Sequence, residues 1–582
     1  MAQGLWRRKS VPRSSGVKRA TPEKTVMLTN EDAIGAVSAL FETFRPEYRG
    51  NRACMDANGR PTGRHLWFFE VWGRDLAIAA DFAFPYSRPN AYIIKYDAAL
   101  DLPHVELDGR LCLTKVEFST DPAEAARQVL AEALELLYAH QTGAEDDDLK
   151  EDFSNYWSQR ADVGSPALSV LYDEVAATGR YLLVGGDIFA FSSNAAMLRW
   201  WENRTEAAPR HTNAAHYIEL SKLPKPSMFP SSPASLLELL QTHSVDGGER
   251  MLSALRQLPN GTVLVLVGTA PSGRRVFAGT RLLKSNPPQK DGSRRKRRGD
   301  VFSVGDLLKH YSIQRLRTSR LDSAVSRSVI DLPNLAGKRA VVVGCGAIGG
   351  GVARLLAKAG VGRLDLVDLE LLGWENIRRH ELGGRSVGLF KVNALASDLR
   401  KDLPEIVEVR SYPKTIQDLI GSGNDIVEGA DLIIATTGSL HADSYIDELA
   451  RQSHQPIPVI FGWMEAWGVA GHALLLHGNG ARFLEGFDDG MPRRPSSQSD
   501  RSPPKECGNG TTPFGSTEVA AVQAMIAELS LDCLLDLGMN NAWRTWWTSD
   551  RNLARVQGRW TDDFIEVKPA SSLSGILERQ WP

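Results

Sequence analysis

Between Asp121 and His140 the apolar residues Ala126, Val129, Leu130, Ala133, Leu134 and Leu137 recur every three or four positions, the spacing of one buried helix face. Thr120 or Asp121 can cap this helix, with Glu124 in its first turn. Upstream, a helical pattern starts near Thr29. Two strand-like runs follow, HLWFFEVWG and LAIAADFAF, then a Pro-containing stretch and a loop holding Cys112. Together these predict a compact α+β unit over residues 26–147, closed by the acidic run GAEDDD, which reads as a linker. Over residues 148–305 strands (YLLVGGDIFAF, TVLVLVG, RVFAGTRLL) alternate with helices (SPASLLELLQTH, GERMLSALRQL), an α/β pattern with no chemical motif. It ends on KSNPPQKDGSRRKRRGD, a Pro-, Gly- and Lys/Arg-rich break expected to be an exposed loop.

From Gly337 the texture changes. A strand, AVVVG, runs into a glycine turn, a helix from about Gly350 to Ala359 and a second strand, RLDLVDL. That is a βαβ unit, and right-handed crossover makes its two strands parallel neighbours in a doubly wound sheet. Further strands are expected at EVRSYP, ADLIIATTG, PVIFGWM and GVAGHALLLH. The third region, 306–582, is therefore Rossmann-like, interrupted over 487–512 by a polar, Pro- and Ser-rich stretch expected to be a mobile loop around Cys507.

Composition narrows the classes. A chain of 582 residues exceeds the roughly 300 at which one core stops growing, and 42% apolar with 24% charged residues is ordinary for a folded protein. Lys plus Arg is 68 against 70 Asp plus Glu, a net charge of -2, so no global basic field points to nucleic acid. Residues 1–25 carry seven Lys or Arg without apolar periodicity and are expected to be a disordered basic tail. No apolar run approaches the roughly 20 residues of a bilayer span, and five scattered cysteines form no repeated C-x-x-C. A cytoplasmic location and free thiols are the expectation.

Gly344, Gly346 and Gly349 form G-x-G-x-x-G after a strand and at the mouth of a helix, where phosphate can approach backbone N–H groups at a positive helix end. Asp368 ends the second strand, 24 residues on, and can hold a ribose hydroxyl. Taken alone this reads as dinucleotide binding. Beyond it come Asn376, Arg379 and Lys391, a positive cluster with an amide suited to a triphosphate and its leaving group rather than to hydride transfer. This order of features, with HYSIQRLRTSR before the first strand, resembles the ThiF/MoeB and ubiquitin-activating adenylation family over about residues 310–540. The resemblance implies ATP and Mg2+ as cofactors, a homodimer, and Gly344, Gly346, Gly349 and Asp368 around ATP with Asn376, Arg379 and Lys391 at the phosphates. It further implies that Arg315, Arg317 or Arg320 reaches a neighbouring protomer. Where the family has an Asp for magnesium, this chain reads Ala435-Thr436-Thr437-Gly438, which leaves the metal ligand unknown, with Asp443 one substitute.

Two thiols extend the chemistry. An acyl adenylate hydrolyses, so a thiolate that captures the acyl group preserves its reactivity, and Cys507 lies beside Lys505 shortly before a helix start. Cys533 falls in the apolar pattern AMIAELSLDCLLDLG and Cys345 in the glycine turn, both expected to pack. In the N-terminal unit FAFPYSRP precedes HVELDGRLCL and a long helix, an order that resembles a ubiquitin-conjugating enzyme, with Cys112 at the position of its reactive cysteine. The family's His-Pro-Asn reads His104-Val105-Glu106, so the Asn that steadies an oxyanion is absent, and His104, a backbone N–H or another side chain has to serve in its place. The fusion resembles CD-NTase-associated proteins of bacterial CBASS antiphage systems. That resemblance implies the C-terminus of a cGAS-like nucleotidyltransferase as substrate and target-protein lysines as acceptors. A sulfur-carrier adenylyltransferase is the alternative.

Overall fold

The computed structural model describes residues 29–582 apart from 45–46, 56–60, 98–100, 115–118, 120, 143–145, 173–177, 206–211, 258–260, 285–303, 321–334, 405, 479, 500–513 and 538–539. The basic tail, the Lys/Arg-rich break after Lys284 and Cys507 lie outside the described residues. No described helix is long and apolar enough to cross a membrane. Two compact units are present. One runs to Val163 and takes in Glu219–Gly248 and Val267–Ala278, and the other comprises Gly164–Ile218, Glu249–Leu266 and Gly279–Pro582.

In the first unit an antiparallel sheet has the order β1 (Tyr48–Met55), β2 (Pro61–Val71), β3 (Arg74–Ala80), β4 (Asn90–Ile93). Alternation along the strands puts Trp67 and Phe69 of β2, and Leu76 and Ile78 of β3, on one buried face. Helix α1 (Asn30–Phe41) adds Val37 and Phe41, and α2 (Pro122–Thr142) adds Ala126, Val129, Leu130, Ala133 and Leu137, the predicted stripe. Thr29 caps α1 by accepting the Asp32 N–H at 3.1 Å.

The acidic run is not a linker, because α3 (Asp146–Glu151) and α4 (Phe153–Gln159) continue the first unit. The cause lies downstream: Phe153, Tyr156 and Trp157 are buried, and these apolar anchors hold the charged turn before them.

The central region forms a closed barrel in the order β10-β11-β5-β7-β6-β8-β9. Its strands are β5 (Ala167–Leu171), β6 (Thr178–Val184), β7 (Asp187–Phe191), β8 (Asn213–Glu219), β9 (Thr262–Thr269), β10 (Arg275–Lys284) and β11 (Tyr311–Arg320). HYSIQRLRTSR, read as a leading segment of the adenylation region, is instead barrel strand β11, antiparallel to β10 and parallel to β5. Tyr311, Leu316 and Thr318 turn inward from it.

The remaining sheet has eight strands, β14-β13-β12-β15-β16-β17-β21-β23. Strands β12 (Arg339–Val343), β13 (Arg363–Val367), β14 (Glu408–Tyr412), β15 (Leu432–Ala435) and β16 (Val459–Met464) are parallel, and β17 (Ala470–Leu476), β21 (Ala542–Trp547) and β23 (Gly575–Arg579) add antiparallel to them. Both faces are covered, as an apolar run without alternation requires. Ala340 and Val342 pack with Val352, Leu356 and Leu395 on one side, while Val341 and Val343 pack with Ile416 and Ile446 on the other. The stretch read as a mobile loop is structured over its first part: β18 (Phe487–Asp488) and β19 (Met491–Pro492) pair, and β20 (Ser497–Ser499) pairs with β22 (Gly558–Trp560).

Candidate functional site

The crevice forms where strand order reverses, because β12 has β13 on one side and β15 on the other and their C-terminal ends diverge. A cavity of about 330 Å³ opens there, a size suited to a small ligand. Val343, Gly344 and Gly346 line it at the end of β12 and just past it, Val367 to Glu370 at the end of β13 and just past it, and Thr436 and Thr437 just past β15. Lys414 to Gln417 and Ser439, His441 and Ala442 complete the wall.

The turn itself is built from backbone. Gly344 has φ of 86°, and a Cβ there would stand 2.6 Å from the Thr436 carbonyl oxygen, while one on Gly349 would stand 2.0 Å from the Gly344 carbonyl oxygen. Gly349 therefore seats the helix Ala347–Lys358 against the strand instead of facing the cavity. The helix starts at Ala347, earlier than predicted, with Gly346 at its N-cap and no side chain accepting from its first turn. That leaves its leading N–H groups for an anion.

Asp368 staples the turn: its Oδ2 accepts the Cys345 N–H at 2.8 Å and its Oδ1 the Glu370 N–H at 2.7 Å. Burial raises its pKa, against those bonds and the nearby Lys391 charge. Behind the turn, His380 donates from Nε2 to the Cys345 carbonyl at 2.8 Å and accepts the Leu382 N–H at Nδ1, an arrangement that fits the neutral ring, and burial lowers its pKa. Cys345 is buried, and burial pushes its thiol pKa far up, so it packs as expected.

Asn376, Arg379 and Lys391 do not line the cavity. Asn376 accepts the Gly373 N–H at 2.9 Å, Arg379 lies 4.6 Å from the Phe514 ring centre, and buried Lys391 pairs with Glu370, itself a cavity-lining residue. Lys414, Gln417 and His441 were missed, since Lys414 precedes the helix Ile416–Gly421, Gln417 lies in it and His441 lies at the start of the helix Leu440–Gln452, segments that only the parallel crossovers bring to this crevice. Thr437 donates to Asp443 at 2.7 Å, and burial raises the Asp443 pKa to about 6. No cluster of three or more His, Cys, Asp or Glu is placed for a metal among the described residues. With Asp368 tied to backbone and Asp443 turned into its own loop, these carboxylates do not fit a protein-held magnesium ion.

The first unit presents a different site. Cys112 is exposed, and its N–H donates to the His104 carbonyl at 2.8 Å. His104 adopts φ of 58° and donates its own N–H to the Tyr156 hydroxyl at 2.7 Å. Its imidazole meets Asp148 at 3.0 Å, so His104 supports Cys112 through backbone and not through its ring. Glu106, at the place of the family's Asn, lies with Oε1 3.6 Å from the Cys112 sulfur and 2.5 Å from Arg110 Nη2. Partial burial and then the Glu106 charge and hydrogen bond raise the Cys112 pKa, while Arg110 opposes them. Asp148 is the last residue of the supposed linker, and Tyr156, whose own pKa burial pushes up to about 12, was hidden behind it. Cys533 sits within the helix Ser516–Leu534 with its pKa pushed up to about 11 by burial, a packing residue.

Geometry thus defines two elements in one chain: a doubly wound domain with a glycine-turn cavity, and an α+β unit presenting an exposed thiol. Residues 328–557 match the ThiF family and residues 55–165 match prokaryotic E2 family B, so the chain is a fusion of an E2-type and a ThiF-type segment. It is 36% identical over 153 residues to the ATP-dependent ubiquitin transferase-like protein Cap2 of Pseudomonas aeruginosa, covering 25% of this chain and 26% of that protein. It is 38% identical over 100 residues to the adenylyltransferase and sulfurtransferase MOCS3 of Mus musculus, covering 17% of this chain and 21% of that protein. These matches span about a quarter of the length of the curated relatives. A crystal structure of PaaA superposes with a TM-score of 0.30 at 18% identity, over 39% of this chain and 64% of that one.

Proposed function

We propose that the chain uses ATP to activate a protein C-terminal carboxylate and passes the acyl group through cysteine thioesters to a lysine amine. The carrying observation is an exposed Cys112 in an E2-type segment of the same chain that bears a ThiF-type glycine turn. ATP occupies the crevice at Gly344, Gly346 and Asp368, with Gly349 holding the turn in shape. Asn376, Arg379 and Lys391 stand outside the cavity wall, so their assigned role at the phosphates requires them to leave their present partners Gly373, Phe514 and Glu370, and Mg2+ enters only as the nucleotide's counter-ion, with no step routed through it. Attack of the carboxylate on the α-phosphate gives acyl adenylate and pyrophosphate. Cys507 captures the acyl group and releases AMP, Cys112 takes it by transthioesterification, and a lysine amine removes it as an amide. The proposed substrate is the C-terminus of a cGAS-like nucleotidyltransferase in antiphage defence, on which this protein acts in the cytoplasm as a homodimer.

Cys112→Ala separates the two halves of this scheme. ATP–pyrophosphate exchange dependent on a candidate nucleotidyltransferase should continue at the wild-type rate while conjugates disappear from non-reducing and reducing gels. Loss of exchange together with conjugation would overturn the division of labour. The match to an adenylyltransferase and sulfurtransferase keeps a second reading, sulfur-carrier adenylation, and a persulfide found on Cys507 by mass spectrometry would favour it.

A further inference from the structure

The Cys112 thiol is not poised as a free thiolate, and the groups around it account for that. The Glu106 carboxylate accepts from the sulfur at 3.6 Å, and the same Oε1 is held by Arg110 at 2.5 Å. Asp152 adds negative charge from the turn between α3 and α4, Tyr156 approaches from α4 with its hydroxyl un-ionised at neutral pH, and Arg110 is faced in turn by Tyr92 and Asp108. A carboxylate beside a nucleophile raises the cost of the thiolate, so it would be a liability if its only effect were electrostatic. It is an asset if the proton leaves the sulfur as the new bond forms, because the acceptor is then already in hydrogen-bond contact.

We propose that Glu106 is the general base of acyl transfer at Cys112, with Arg110 as the positioning residue that fixes its carboxylate, a role that deepens the function proposed above and rests on it. In the loading step the sulfur attacks the donor thioester carbonyl, the S–H proton passes to Glu106 and a new C–S bond forms; the donor C–S bond then breaks, and Glu106 returns the proton to the departing donor thiolate. In the unloading step an amine attacks the Cys112 acyl carbon and its ammonium proton passes to Glu106. The C–S bond breaks, and the Cys112 thiolate recovers that proton.

This reading makes two reactivities move in opposite directions on the full-length protein. Alkylation by iodoacetamide, followed at the Cys112 peptide by mass spectrometry, needs only thiolate. In Glu106→Gln it should therefore accelerate about threefold or more at pH 7.5. Loading of Cys112 from a synthetic glycyl-peptide thioester of mercaptoethanesulfonate, and its aminolysis by free lysine, should slow by roughly a hundredfold. Glu106→Asp should restore part of the transfer rate, and Arg110→Met should slow transfer while leaving the Cys112 peptide alkylatable. Transfer at the wild-type rate in Glu106→Gln, or a parallel fall of alkylation and transfer with no rescue by Asp, would overturn the role. Acyl transfer surviving in Cys112→Ala would instead remove the thioester function itself, so the two failures are distinct.

Discussion

The crevice at β12 and the thiol site at Cys112 are built from different materials. Around Gly344 the working parts are backbone groups, with N–H donors at a helix start and carbonyls packed so closely that side chains must be absent. Around Cys112 they are side chains, Glu106 and Arg110 on a loop and the phenol of Tyr156 reaching in from α4 farther along the chain. Backbone geometry is fixed by packing and tolerates few substitutions. A side-chain constellation can be retuned one residue at a time, and the exchange of the expected Asn for Glu106 is such a retuning.

The largest effect should come from asking the backbone site to accept a methyl group. Gly349→Ala places a carbon 2.0 Å from the Gly344 carbonyl oxygen, which also accepts from Thr436 at 2.6 Å, so strand and helix must part. A loss of about 3 kcal/mol of stability is expected, with nucleotide exchange abolished. Gly346→Ala is the contrast, since nothing lies within 4 Å of the added carbon. Its thermal midpoint should remain at the wild-type value while exchange falls, and equal thermal damage from both substitutions would break the distinction between packing glycine and cavity glycine.

A side-chain assembly of comparable importance lies within the second unit, at Glu465. Its Oε1 accepts from His472 at 3.0 Å and the Ser496 N–H at 2.6 Å, and its Oε2 from the Ser497 N–H at 3.0 Å and hydroxyl at 2.5 Å. His472 accepts from Trp543 Nε1 at 3.2 Å through Nδ1, which places its proton on Nε2, and burial lowers its pKa. Burial alone would raise the Glu465 pKa, but His472, Ser497 and Ser496 together hold it below the ordinary value. A lowered folded pKa contributes stability above the unfolded value of about 4.3, and that contribution is lost as pH falls through the folded pKa. Glu465→Gln should cost about 2 kcal/mol at pH 7 and make the thermal midpoint fall less steeply on acidification below about pH 5. An unchanged slope in a pH series of melts would show that Glu465 is not the group responsible.

Glu465 also explains why the polar stretch after Phe487 was read as unstructured. Scarcity of apolar residues predicts a loop only if no buried polar partner exists, and a glutamate some thirty residues earlier supplies three acceptor contacts to Ser496 and Ser497 that no local window contains. The strands and helices of the doubly wound sheet were legible because a βαβ crossover writes its glycines, acid and apolar runs in fixed order. Lys414, Gln417 and His441 were not, because a cavity wall assembled from the starts of the separate helices Ile416–Gly421 and Leu440–Gln452 leaves no spacing to read. Cys112 was visible as a motif, whereas Asp148 and Tyr156 were masked by an acidic run whose helix is held by aromatic anchors beyond it. Arg315, Arg317 and Arg320 looked like a leading segment, yet alternation in the same ten residues is equally that of a barrel strand.

The smallest effect separates support from chemistry at the thiol. His104 holds φ of 58°, a left-handed conformation costly for a residue with a Cβ, and its carbonyl in that pose accepts the Cys112 N–H. The Tyr156 hydroxyl, buried and accepting the His104 N–H at 2.7 Å, is the contact that favours the pose. Tyr156→Phe deletes that acceptor without changing the packed ring, so about 1 kcal/mol of stability is expected to go. Amide hydrogen exchange at Cys112 should rise while that in β2 and β3 stays unchanged, because the loss is local. Transfer should fall only a few-fold, far less than in Glu106→Gln, since the carboxylate and its arginine remain in place. A Tyr156→Phe defect as deep as that of Glu106→Gln would mean that the shape of the loop, and not the proton acceptor on it, limits transfer at Cys112.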